Sequence, residues 1–144
     1  MFHRILVPLD GSTTAEKVLP TAVGEAKAHD DAVIVLLRVI PPLRSSFMVS
    51  VKMHEELNSQ AVRVAQDYLK TISAPLEAEE LEIQTAIESG PPAEVIISYA
   101  EENDCDLILI ASRGETSSVR WRFGGTAGKV VRTPTSMPVM VLTT

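Results

Sequence analysis

The chain of 144 residues has one cysteine, few aromatic residues (4%) and no apolar run near the ~20 residues that span a bilayer. The single thiol, Cys105, excludes an internal disulfide and is typical of a reducing compartment. The net charge of −6 and the scarcity of aromatic residues argue against nucleic-acid binding. The chain starts directly in an apolar run, without the layout of a secretory signal. We therefore expect one cytoplasmic domain over residues 1–144, with no membrane or nucleic-acid partner.

The sequence also lacks the residue patterns of metal sites and of nucleophilic catalysis. Cys105 lies between Asp104 and Asp106, whose carboxylates disfavour a thiolate. No Gly-x-Ser-x-Gly elbow occurs, and no Ser/His/Asp set stands in a plausible order. The histidines lack metal-ligand spacing, which favours surface positions for all three: His3, His29 and His54. We expect no metal centre and no catalytic residue.

Strand-like apolar runs alternate with helix-like amphipathic segments along the chain. The pattern predicts strands over Arg4–Leu9, Ala32–Ile40, Leu81–Glu88, Asp106–Ala111 and Pro138–Leu142. It predicts helices from Ser12 or Thr13 to about His29, from His54 to Ile72, from Ala93 onward, and from Thr126 to Arg132. The second strand is apolar almost throughout, as in a strand buried on both faces, whereas the third alternates and belongs nearer an edge. This order predicts an α/β fold, an open parallel sheet with helices on both faces.

A glycine-rich segment connects the fourth strand to the last helix. It contains Gly114, Gly124 and Gly125, and residues 113–132 carry five basic side chains and one acid. Glycines let the backbone approach a ligand closely, and the start of a helix favours an anion. In open parallel sheets a ligand lies beyond the carboxyl ends of the strands, here Pro8–Asp10, Arg38–Ile40 and Ala111–Gly114. The segment therefore predicts a phosphate site, with ordinary turn and helix-start glycines as the alternative.

The chain resembles the universal stress protein family over nearly its full length. The resemblance is carried by Ile5–Ser12, Leu36–Val39, Gly90–Ile96, Asp106–Gly114 and Pro138–Leu142. It implies a five-stranded sheet in the order 3-2-1-4-5, with the Rossmann-like fold that binds adenine nucleotides. It also implies a homodimer that pairs the last strands edge to edge. The protein would act as a stress-response regulator or sensor with an unknown protein partner, and not as an enzyme.

The resemblance further implies a site for ATP or AMP, with or without Mg²⁺. The adenine would lie near Pro8 and the backbone of Val39, and Asp10 would contact the nucleotide or its metal. The phosphates would lie at Ala111, Ser112, Arg113, Gly114, Gly124, Gly125, Thr126 and Ala127. Asp10 has an alternative role as a turn residue or as the cap of the first helix, and Pro8 and Val39 have an alternative role as core residues.

The ATP-binding branch of the family carries the pattern G-x2-G-x9-G-[ST], from which this chain departs twice. Gly114 and Gly124 match the second and third glycines. Ala111 replaces the first glycine and adds a methyl group. Gly125 replaces the hydroxyl residue, although Thr126 follows it directly. Loss of one hydrogen bond to a phosphate costs about 1–3 kcal/mol unless Thr126 replaces it.

Two other functions remain as alternatives. Another branch of the family lacks the glycine pattern, and such a protein would be a dimeric interaction scaffold without nucleotide. An enzyme or phospho-receiver on a similar layout is the other, and a receiver needs a cluster of acids at the carboxyl end of the first strand and a lysine after the fifth. The chain has Asp10 there, but no acid pair before the first strand and no lysine after Pro138. No Walker Lys-[Ser/Thr] pair and no evident general base occur, so any ATP hydrolysis should be slow and incidental.

Overall fold

The computed structural model describes residues 2–42, 50–112 and 125–143. Its strands are β1 (Arg4–Leu9), β2 (Val33–Ile40), β3 (Glu82–Ser89), β4 (Leu107–Ala111) and β5 (Val139–Leu142). Its helices are α1 (Leu19–Ala26), which follows a 3-10 turn at Ala15–Val18, α2 (Val51–Glu77), α3 (Pro92–Glu102) and α4 (Gly125–Arg132). Strands and helices alternate through the chain, as the apolar pattern predicts.

The five strands form one parallel sheet in the order β3-β2-β1-β4-β5. The central strand β1 pairs with β2 along its whole length, from Arg4 opposite Val33 to Leu9 opposite Arg38. The expected order 3-2-1-4-5 is confirmed. The edge position of β3 is confirmed as well, and no side chain of β3 is fully buried. The other edge is β5.

Helices cover both faces of the sheet because successive side chains of a strand point to opposite sides. One face carries Ile5 and Val7 of β1 and packs against α1 and the second half of α2. The other face carries Leu6 of β1 and packs against α3 and α4. The inner strands are buried on both sides, which explains their continuous apolar runs.

The first helix differs from the prediction of one segment from Ser12 or Thr13 to His29. A 3-10 turn covers Ala15–Val18, and α1 begins only at Leu19. Pro20 explains the division, because proline lacks a backbone N–H and fits the first turn of a helix but not its interior. The amphipathic pattern continues through the break and therefore did not reveal it.

Helix α2 extends beyond the predicted bounds His54–Ile72 at both ends. It begins at Val51 because the Ser50 hydroxyl accepts a hydrogen bond from the Met53 N–H at 3.1 Å and caps the first turn. It ends at Glu77, with Pro75 in its last turn. In the described ranges no helix is both long and apolar enough to cross a membrane.

Candidate functional site

The central strands separate at the carboxyl edge of the sheet. β1 pairs with β4 only where Ile5 and Leu6 lie opposite Leu107 and Ile108, yet both strands continue, to Leu9 and Ala111. Pro8, which lies beyond the last pair, has no N–H to donate to a neighbouring strand. The strand order also reverses between β1 and β4, and at such a point an open α/β sheet forms its ligand crevice.

The turn after β1 holds Asp10 in a local hydrogen-bond network. Its Oδ1 atom accepts hydrogen bonds from the Ser12 N–H at 2.9 Å and the Ser12 hydroxyl at 2.6 Å. The Ser12 Oγ atom in turn accepts from the Ala15 N–H at 3.1 Å, at the start of the 3-10 turn. Gly11 has φ +89°, which a residue with a side chain adopts only with strain. One oxygen of Asp10 therefore has the turn role that Asp-Gly-Ser predicts.

Val39 lies at the end of β2, just past the part of the strand that pairs with β1. The last pair of β1 with β2 is Leu9 opposite Arg38, while Val39 continues the ladder with Glu88 of β3. The side chain of Val39 is buried, and its carbonyl oxygen accepts a hydrogen bond from Arg38 Nη1 at 2.6 Å. A carbonyl oxygen has two lone pairs, so this hydrogen bond uses one of them and the other can accept from a second donor.

Tyr68 and Glu16 join this region, and sequence reasoning did not identify either residue. The Tyr68 hydroxyl donates to Glu16 Oε2 at 2.9 Å, linking α2 to the 3-10 turn. Burial raises the pKa of Tyr68 well above its usual value, the bond to Glu16 and the negative charges of Glu16 and Asp10 raise it further, and Arg38 lowers it. The Tyr68 phenol is therefore close enough to Asp10 and Arg38, at the carboxyl ends of β1 and β2, for their charges to act on it. No local pattern around Tyr68 distinguishes it from the other apolar-face residues of its helix.

The end of β4 is tightly held. Ala111 lies opposite Leu142 of β5, and the Ser112 N–H donates to the Leu142 carbonyl oxygen at 2.8 Å. Ala111 and Ser112 are 6% and 1% exposed, so both belong to the floor of the crevice more than to its rim. The next two predicted site residues, Arg113 and Gly114, lie outside the described residues, as does Gly124.

The start of α4 lies on the second face of the sheet. Ala127 is buried in the same apolar cluster as Val39 and Ile110, so the first turn of α4 packs on the face of the sheet that carries these two residues. Thr126 is half-buried, and Gly125 is exposed. A Cβ atom built on Gly125 would meet nothing within 4 Å, so the protein's own packing does not require glycine there. The first N–H groups of a helix have no partner within the helix itself, and the start of a helix favours an anion.

A separate groove of about 240 Å³ lies between the end of β3 and α3. Its charged lining is acidic, with Glu88, Glu94 and Glu102, accompanied by Tyr99 and two serines. Carboxylates repel phosphate groups, so this groove has the wrong charge for a nucleotide.

Cys105 is buried at the entrance of β4, with 4% exposure. Burial raises the pKa of its thiol, and the charges of Asp106 and Asp104 raise it further against a lowering effect of Arg4. The expectation of an unreactive thiol is therefore supported, with desolvation as the larger cause.

His3 and His29 come together in the fold, which their positions in the sequence do not predict. Their ring centroids are 4.8 Å apart, and His3 also lies 3.7 Å from a carboxylate oxygen of Asp106. His3 is exposed and His29 half-buried. His3 precedes β1, and His29 lies between α1 and the start of β2. Both therefore lie at the amino edge of the sheet, away from the crevice. Among the described residues, no three His, Cys, Asp or Glu side chains are placed to hold a metal ion.

Comparison with known proteins gives one family over the whole chain. A sequence profile of the Universal stress protein family matches residues 1–143. The universal stress protein MJ0531 of Methanocaldococcus jannaschii is 27% identical, with 99% of this chain and 82% of that protein aligned. The solved structure of UspA from Lactobacillus plantarum superposes with a TM-score of 0.85 at 26% identity, covering 98% of this chain and 97% of that chain. The structure of MJ0577, also from M. jannaschii, superposes with a TM-score of 0.84 at 26% identity, covering 99% of this chain and 96% of that chain.

Two more distant structures share the fold and were solved with nucleotides. One is a universal stress protein in complex with cAMP, with a TM-score of 0.62 at 18% identity over 98% of this chain and 96% of that chain. The other is a family protein from Arabidopsis thaliana with AMP bound, with a TM-score of 0.67 at 14% identity over 97% and 90%. At these identities the likeness concerns the fold alone.

Proposed function

Because the chain belongs to the universal stress protein family, we propose that it is a cytoplasmic stress-response regulator or sensor that binds ATP or AMP. The nucleotide would lie in the crevice at the carboxyl ends of β1, β2 and β4. The observation that carries the proposal is the separation of β1 from β4 at the carboxyl edge of the sheet, where α4 packs on the face that carries Val39 through Ala127 of the same apolar cluster.

The adenine ring would lie between Pro8 and Val39. By the alternation of strand side chains Pro8 points to the same face as Leu6, the face that also carries Val39 and Ala127. These residues would offer an apolar surface to a flat ring. The second lone pair of the Val39 carbonyl oxygen would accept from the adenine amino group, beside the Arg38 bond. Guanine carries a carbonyl at that position, so GTP would place two acceptors together.

The phosphates would lie at the start of α4. The first N–H groups of a helix have no partner within the helix, and its dipole favours negative charge. Space beside Gly125 would let a phosphate approach these groups. The Thr126 hydroxyl would replace the one that Gly125 lacks. Ser112, Arg113, Gly114 and Gly124 would complete the phosphate site, and Ala111 would lie at its floor.

Mg²⁺ would bind, where it is used, between the phosphates and the Asp10 carboxylate. Magnesium prefers oxygen ligands and is commonly held by one or two carboxylates together with substrate phosphates. We expect no enzymatic activity beyond slow hydrolysis. Glu16, the other carboxylate described beside the crevice, already accepts a hydrogen bond from Tyr68.

The homodimer would form through the last strand, Pro138–Leu142. β5 pairs with β4 on one side and lies at the edge of the sheet on the other. Its four residues, Val139–Leu142, are half-buried apolar side chains on an edge strand, which is a ready surface for pairing with a second chain. An unidentified protein would be the downstream partner of this dimer.

A dimeric scaffold without nucleotide is the second candidate. The observation that favours it is that crevice groups already have protein partners: Asp10 Oδ1 accepts from Ser12, and the Val39 carbonyl accepts from Arg38. Ala111 adds its methyl group at the crevice floor.

Calorimetric titration of the purified protein with ATP and Mg²⁺ separates the two candidates. Titrations with AMP and GTP serve as the controls. The proposed site predicts micromolar binding of ATP and rejection of GTP. No heat at millimolar ATP, together with no thermal shift, would assign the protein to the scaffold class.

A further inference from the structure

The first half of α2 lies outside the core. The buried residues of this helix are Ala65, Leu69, Ser73 and Leu76, all in its second half. None of the residues of Val51–Val64 is buried. Four apolar side chains there are exposed: Val51 at 76%, Met53 at 49%, Leu57 at 44% and Val64 at 63%. Apolar side chains exposed together on one helix face are a feature of interaction surfaces.

Three of these exposed apolar residues form one continuous stripe together with Gln60. Met53, Leu57, Gln60 and Val64 follow each other at spacings of four, three and four residues. This is the spacing of the a and d positions of a coiled coil, which places all four side chains along one seam. The stripe, defined by these four residues, is rotated away from the buried face that begins at Ala65. Val51, also exposed at 76%, lies off the stripe.

Two opposite charges flank the stripe on the same side. Glu56 directly precedes Leu57, and Arg63 directly precedes Val64, so both occupy the position next to the seam. Both are exposed, and neither forms an ion pair with any residue in the described ranges. The positions flanking a helix seam choose the partner and its direction through charge.

These charges fit a second copy of the same helix running in the opposite direction. About a two-fold axis between residues 58 and 59, Met53 faces Val64 of the other copy, and Leu57 faces Gln60. The same symmetry brings Glu56 beside Arg63 twice, once on each side of the axis. A parallel pairing would instead place Glu56 beside Ala61, with no charge to meet it.

We propose that the stripe on α2 is a self-association surface that pairs antiparallel with the stripe of a second copy. Its four seam residues span about two heptads, whereas a stable coiled coil has at least three to four. The contact is therefore weak and concentration-dependent. It is separate from the edge of β5. If β5 pairs two chains, the stripe joins dimers into tetramers, and if β5 does not, it joins monomers into dimers.

Sedimentation equilibrium over a wide range of protein concentration tests the surface. The wild-type protein is expected to show a reversible doubling of mass. Leu57→Glu places a charge in the seam and should weaken the association by more than tenfold. Val51→Glu is the matched control, because it places the same charge at an exposed apolar residue of the same helix off the stripe. It should associate like the wild type.

A charge exchange tests the antiparallel direction. Glu56→Arg and Arg63→Glu should each weaken the association about fivefold, since each turns two attractive pairs into repulsive ones. The double variant Glu56→Arg with Arg63→Glu should restore it. Circular dichroism checks that each variant is folded. A mass independent of concentration, or a double variant as weak as the single ones, would overturn the proposal.

Discussion

At the scale of single residues, some groups beside the crevice form a local turn and others form contacts between distant parts of the chain. Asp10 and Gly11 make the turn after β1, through the bonds of Oδ1 to Ser12 and a backbone at φ +89°. Asp-Gly-Ser is a turn sequence, so this much follows from the sequence. The contact of Tyr68 with Glu16 does not, because the two residues are 52 positions apart and only the packing of α2 brings them together.

Replacing Tyr68 with Phe tests that contact and the raised pKa of the phenol. The variant loses the hydrogen bond to Glu16, so its free energy of unfolding should fall by about 1 kcal/mol at neutral pH. A raised pKa in the folded state stabilises the fold below the unfolded value of 10.0, and this stability is lost as the pH rises beyond it. The difference between wild type and variant should therefore shrink above about pH 10. Urea unfolding at several pH values measures it, and a constant difference would contradict the assignment.

At the scale of secondary-structure elements, the sequence predicts well where one physical signal dominates. All five strands were predicted to within a residue at each end, because each is an apolar or alternating run. The division of the first helix was missed, since Pro20 lies within a continuing amphipathic pattern. The early start of α2 was missed because it depends on the Ser50 cap, which the apolar pattern does not include.

Replacing two glycines with the same residue, alanine, tests how much the backbone conformation at each position contributes to stability. Gly24 is exposed within α1, and Gly11 is at the turn with φ +89°; a Cβ atom at either position meets nothing within 4 Å. Gly24→Ala should raise the free energy of unfolding by about 0.5–1 kcal/mol through helix propensity. Gly11→Ala should lower it by about 1–2 kcal/mol, because only the backbone conformation differs. Equal effects in urea unfolding would show that φ at Gly11 is not the cause.

At the scale of the whole molecule, strand order and crevice were predictable for different reasons. Alternation of strands and helices indicates a parallel sheet, while the order 3-2-1-4-5 came from the family resemblance and is confirmed. The carboxyl ends of β1, β2 and β4 then follow as the place of the crevice. The stacking of His3 on His29, the Arg38 bond to Val39 and the acidic groove beside α3 depend on tertiary packing, which no local pattern encodes.

The most direct test of the account compares ATP affinity in Gly125→Asp and Gly125→Asn, measured by calorimetry against the wild type. Both side chains enter the same open space at the start of α4, and an acid near a helix N-terminus is compatible with folding. They differ in charge alone. If phosphates lie at this helix start, Asp should weaken ATP binding by more than tenfold, while Asn should retain affinity within a few-fold of the wild type. Equal ATP affinity in the two variants would contradict the phosphate site at α4.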